Sequence, residues 1–251
     1  MLNDLLLMSG IEVPFVEAGV NIHQPTLREI AYVGEENFFI GCEFLNFSKD
    51  ILSDEDKSHL ENTDNFEVFM SIMVDRKTVG LQRGRLCAII VLGILFPNYN
   101  IKFSLDKIIL EEKDEETGES VEHYINKNNF EKFKKIIVDI FCLNRGSEEA
   151  TNYNPKGKQA KAIAEKLKKG RQKAAEIKGS GQKISLYSRF ISIVSVGLFR
   201  SINDLLDYTL YQLFDTYDRY ELKVAFDFYM KAKLAGASGM DEPEHWMKEI
   251  H

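Results

Sequence analysis

Residues 86–96 read LCAIIVLGILF and are followed at once by Pro97. No other stretch of the chain is so apolar for so long. It is still far short of the roughly 20 residues that a membrane-spanning helix needs. Proline lacks an N–H and stops a helix from continuing. The run therefore predicts the central, buried helix of a water-soluble domain, and the rest of the chain has to build a core around it. The 251 residues suffice for one large domain or two small ones. With 17 Phe and 10 Tyr, the chain has large rings to spare for packing or for an interface.

Up to this run the pattern is helical. Residues 1–20 read as irregular, with one short strand at IEVPFV. In HQPTLREIAYVG, Thr26 and Glu29 have the spacing of a capping box, and Gly34 suits the helix end. EENFFIGCEFLNF predicts a second helix, and Ser53 with Asp56 a third. In TDNFEVFMSIMVD, Phe66, Phe69, Met70 and Met73 recur at helical spacing.

After Pro97 the period changes. A turn around EETGES, with Gly118 as its left-handed residue, predicts a β-hairpin pairing 105–112 with 119–126. A helix follows, capped by Asn128 and striped by Phe133, Ile136, Ile137, Ile140 and Phe141, with Gly146 as its stop. Ser201 with Asp204 predicts another cap. From there a stripe through Leu206, Leu210, Leu213, Tyr217, Val224 and Phe228 predicts one long helix, or two meeting near Thr216.

Between these halves lies NPKGKQAKAIAEKLKKGRQKAAEIKGSGQK, residues 154–183. Ten Lys or Arg there face only Glu165 and Glu176, a local surplus of +8. The whole chain carries −7, so the remainder sums to −15. Ala160, Ile163, Leu167, Gly170, Ala174 and Ile177 follow at steps of 3 and 4, the spacing of a thin heptad stripe. Four readings compete: a solvated tether, docking on a protein or on this chain's own acidic residues 111–122, phosphate-backbone binding, and an anionic membrane surface. Nucleic acid is disfavoured because interleaved aromatics and recognised binding signatures are missing. A membrane is disfavoured because the apolar face has no Trp or Phe. Lys166, Lys168, Lys169 and Arg171 are the densest part of the patch.

Signals of chemistry are weak. Cys42, Cys87 and Cys142 are widely spaced and read as small buried hydrophobes in a reducing compartment. The five histidines show no metal-ligand spacing. Gly157-Lys158 lacks the Ser or Thr and the upstream glycine of a phosphate-binding loop. No enzyme, cofactor or metal is expected. The start, MLNDLLLMSG, has neither the basic n-region nor the cleavage site of a signal peptide, so a cytosolic protein is expected.

The order of segments resembles a family. QPTLREIAYVGEENFF precedes VLGILFPNYNIKF. INKNNFEKFKKIIVDIFCLN follows the hairpin, and SINDLLDYTLYQLFDTYDRYELKVAF and EPEHWMKEI close the chain. This resembles the tail assembly chaperone-type proteins of tailed bacteriophages that infect Gram-positive hosts. The resemblance implies a non-enzymatic protein of the host cytoplasm. Such a protein coats the tape measure protein before tail-tube subunits polymerise, and it is absent from the finished particle. Tyr208, Tyr211, Tyr217, Tyr220, Tyr229 and Trp246 are then the candidate partner-binding rings, against the alternative that they complete this chain's own core. The expected fold is mostly α with a small β-hairpin: a helical domain at 1–146, a basic joint at 147–183 and an aromatic helical domain at 184–251. The rival functions are a structural component of the tail or baseplate, and a nucleic-acid-binding protein acting through 156–183.

Overall fold

The computed structural model describes residues 2–48, 63–74, 81–113, 120–143, 185–238, 242–245 and 247. The Ser53 cap, the Gly118 turn, Gly146, the basic stretch and Trp246 lie outside the described residues.

The chain is mostly α-helical with two small antiparallel sheets. The first 20 residues are more regular than their sequence predicts. Helix α1, Asp4–Ser9, is capped by the Asn3 side chain and ended by left-handed Gly10. Strands β1, Val13–Phe15, and β2, Val20–Ile22, then form a hairpin with Val13 opposite Ile22. Six residues are too few for periodicity to reveal a helix, and only Leu7 of α1 is buried.

Helix α2, Leu27–Val33, starts at the expected Thr26–Glu29 capping box and ends at Gly34, φ +87°. Helix α3 spans Glu35–Leu45 and α4 spans Asn65–Val74, the latter burying Phe66, Phe69, Met70 and Met73.

The apolar run forms α5, Gln82–Leu95, and it supplies part of the core as expected, but its burial is one-sided. Cys87, Ala88, Val91, Leu92 and Leu95 are buried, whereas Leu86, Ile89, Ile90 and Gly93 are exposed. The buried face lies against α3. A Cβ on Gly41 would stand 2.5 Å from the Cys87 carbonyl oxygen, so only glycine lets the two backbones come so close.

The hairpin is present as β4, Lys107–Lys113, paired with β5, Ser120–Asn126, with Leu110 opposite His123. An unpredicted edge strand, β3, Asn100–Phe103, extends it to three strands. Helix α6, Phe130–Ile140, follows. Its cap is one residue later than expected. Asn129 occupies the cap position but makes no capping bond. Its side chain is buried: Oδ1 accepts from the Asn126 N–H, and Nδ2 donates to the carbonyls of Tyr124 and Glu17. Just after the helix, Cys142 takes a left-handed conformation, φ +52°.

The C-terminal elements are α7, Leu186–Leu198, the short α8, Ile202–Leu206, and α9, Leu210–Leu234. The Ser201 side chain caps α8 by accepting from the Asn203 N–H. The long helix has its own capping box, Thr209 with Gln212, and runs unbroken through Thr216. One cluster of buried apolar side chains takes in residues from α1 to α9.

Candidate partner-binding surface

The C-terminal helices are joined to the first part by backbone and by rings. Thr26 and Thr209, the caps of α2 and α9, form an antiparallel bridge, and the Leu27 N–H donates to the Tyr208 carbonyl at 2.8 Å. Gln212 Nε2 also donates to the Met8 carbonyl at 2.8 Å. Arg28 Nε reaches Asp207 Oδ1 at 2.9 Å on the exposed rim.

A relay of rings runs alongside. Phe141 meets Phe38 edge-on, Phe38 meets Phe39, and Phe39 packs on Tyr187 at 5.1 Å between centroids. Tyr187 continues to Phe214, and Phe190 joins Phe214 to Tyr217. Edge-to-face pairs of this kind add roughly 0.5–1.5 kcal/mol each beyond burial.

Of the candidate rings, Tyr217 belongs to this relay. Tyr211 and Tyr229 are buried, and Tyr208, Tyr217 and Tyr220 are half-buried. Tyr220 lies over Gly197 of α7, where a Cβ would come 2.2 Å from its ring. Burial, and then the carboxylates of Asp4 and Asp215, push the Tyr211 phenol well above its ordinary value. Burial does the same for Tyr187. Lys233 Nζ sits 5.4 Å from the Tyr229 ring centre. These tyrosines therefore pack within the chain's own fold, and Tyr208, Tyr217 and Tyr220 keep part of their rings open to solvent.

Exposed apolar surface lies elsewhere. Leu86, at 62% exposure, Ile89, Ile90 and Gly93 form a row on the outer side of α5 at i, i+3, i+4 and i+7. A Cβ on Gly93 would meet nothing within 4 Å, so another backbone can approach there. The row was hidden in the sequence because α5 is apolar all round, and such a helix ordinarily reads as buried. The only cue was Gly93 in the middle of an aliphatic run. A second exposed apolar site is the α7–α8 corner, where Phe199 is 95% exposed in a left-handed conformation, φ +55°, flanked by Val196 and Ile202. The corner is held by Ser195. Its carbonyl accepts from the N–H groups of Phe199 and Arg200, and its hydroxyl donates to the Arg200 carbonyl.

Polar groups are used structurally. Glu29 accepts from the Thr26 N–H and hydroxyl, both at 2.8 Å, and lies 3.1 Å from His23 Nε2. Burial alone would raise its pKa. The bonds from Thr26 and His23 outweigh it and hold the carboxyl below the ordinary range. His123 Nδ1 donates to the Ala18 carbonyl at 3.0 Å, which ties β5 to the first hairpin. Cys42 is buried, and burial raises its thiol pKa far out of the reactive range. Among the described residues, no group of three or more His, Cys, Asp or Glu could hold a metal ion. No helix among them is long and apolar enough to cross a membrane.

No curated protein and no solved structure matches the chain. Residues 181–251 match the family model described as the YomV second domain, from a phage-derived Bacillus protein family. The C-terminal part of the chain is thus similar to that domain, and the similarity hints at a phage protein.

Proposed function

We propose that this protein is a tail assembly chaperone of a bacteriophage. It binds the tape measure protein, and the tail-tube subunits that follow it, in the host cytoplasm, and it performs no covalent chemistry. One observation carries this reading: the outer row of α5, formed by Leu86, Ile89, Ile90 and Gly93, is apolar and open to solvent in part, Leu86 at 62% exposure and Ile89 and Ile90 at 41% and 40%. An unassembled tape measure protein is a long helix with apolar faces, which would aggregate if left in water. A helix laid along the α5 row buries its own anchors against three aliphatic side chains and reaches close at Gly93. The row is short, so the contact is weak enough for tube subunits to displace it as they polymerise. The similarity of residues 181–251 to a phage-derived domain supports the same setting.

Co-expression of the full chain with the tape measure protein of the same phage tests this. The expected result is a soluble complex recovered by pull-down and lost in Leu86→Asp, the most exposed residue of the row at 62%, with the variant still folded by circular dichroism. No capture by the wild type, or equal capture by Leu86→Asp, overturns the reading. Recovery of the protein from purified virions would mark it instead as a structural component of the tail.

A further inference from the structure

Helix α9 carries one row of residues along its whole length, and only half of that row is covered. Leu210, Leu213 and Tyr217 face the core. At steps of 4, 3, 4 and 3 the row continues to Glu221, Val224, Phe228 and Lys231, all exposed, with Phe228 at 67%. This spacing of alternate threes and fours is the seam of a coiled coil.

We propose that a second copy of this chain covers the exposed half, the two α9 helices pairing antiparallel about the level of Phe226. That register sets Val224 against Phe228 of the second copy, twice by symmetry. It also sets Glu221 level with the second copy's Lys231, again twice. A row that is apolar at its centre, acidic at one end and basic at the other complements itself only when one helix is reversed. Parallel pairing would put Glu221 against Glu221 and Lys231 against Lys231. This is the form of an isologous interface, in which one patch serves both partners. Reversal also sets the two helix dipoles in opposition, which favours the pair. The seam lies on a different helix from the α5 row, so one molecule can self-associate and hold a client together.

Sedimentation of the full chain over a wide concentration range tests the proposal. The expected result is a reversible monomer–dimer equilibrium. Glu221→Lys or Lys231→Glu alone weakens the dimer about tenfold, because two attractive pairs become two repulsive ones. The double variant Glu221→Lys/Lys231→Glu restores wild-type affinity, and the two single variants mixed together form a heterodimer. Phe228→Asp abolishes the dimer and leaves the monomer folded, with the melting temperature of wild type diluted to monomer, since in the monomer the side chain is 67% exposed. A monomer at every concentration overturns the proposal. So does a dimer that survives Phe228→Asp, or one that the double charge swap fails to restore. Protection of the α9 row only when tape measure protein is present would assign it to that client and also overturn self-pairing. None of these outcomes depends on the α5 row, so the chaperone reading is tested separately.

Discussion

At the scale of single residues, two glycines on one helix pair make opposite demands. Gly41 of α3 has the Cys87 carbonyl oxygen 2.5 Å and Val91 Cγ2 2.6 Å from where a Cβ would stand. Backbone cannot yield as a side-chain tip does, so Gly41→Ala pushes α3 off α5 and costs about 1–3 kcal/mol. Gly93 has open space there. Gly93→Ala removes only the excess freedom of a helical glycine and gains about 0.5–1 kcal/mol. Urea unfolding of the two variants checks both signs. Glu29 gives a pH signature. Its folded pKa lies below the ordinary 4.5, so it stabilises the fold above that value. The contribution fades as pH falls below 4.5 through the lowered folded value. Glu29→Gln is therefore less stable than wild type at neutral pH, and the gap narrows below pH 4.5. A constant gap in thermal melts across that range would show that the carboxylate's charge does not matter at the α2 cap.

At the scale of elements, the legible parts were those governed by local chemistry. The Thr26–Glu29 box, the Gly34 stop, the stripe of α4 and the β4–β5 pairing all stand within a few residues of their expected places. Each depends on neighbours in sequence. What stayed hidden depended on distant partners. Asn129 caps nothing because its Oδ1, the atom that would cap, accepts from the Asn126 N–H, while its Nδ2 is held by the carbonyls of Tyr124 and of distant Glu17. Strand β3 has an exposed–intermediate alternation too faint to announce itself, and only pairing with β4 defines it. The outer row of α5 could not be told from its inner face by composition. Phe199 belongs to this class too, since a left-handed Phe breaks the rule that such sites take glycine. Its ring makes almost no contact with the rest of the chain, so Phe199→Gly loses no packing and relieves the backbone. A net gain of about 0.5 kcal/mol follows once the greater freedom of unfolded glycine is subtracted. Calorimetry showing destabilisation instead would mean that the ring is held by a contact.

At the scale of the whole molecule, the question is whether residues 185–238 unfold apart from what precedes them. The relay from Phe141 through Phe38, Phe39 and Tyr187 to Phe214 argues against it, as does the bridge between Thr26 and Thr209. Tyr187 is the ring that α7 lends to α3, and its backbone N–H also approaches Glu35 Oε1 at 3.4 Å. Truncating a buried ring of this size costs about 3–5 kcal/mol. If the core is one cooperative unit, Tyr187→Ala lowers that stability everywhere at once, and amides in α3 lose hydrogen-exchange protection by the same factor as amides in α9. If protection falls only in α7, α8 and α9, the C-terminal helices open by themselves and the ring relay is a docking contact. The first outcome suits a chaperone that offers a fixed surface to its client. In that case α5 and α9 keep a constant spacing within one chain, and whatever binds either helix meets a surface already set.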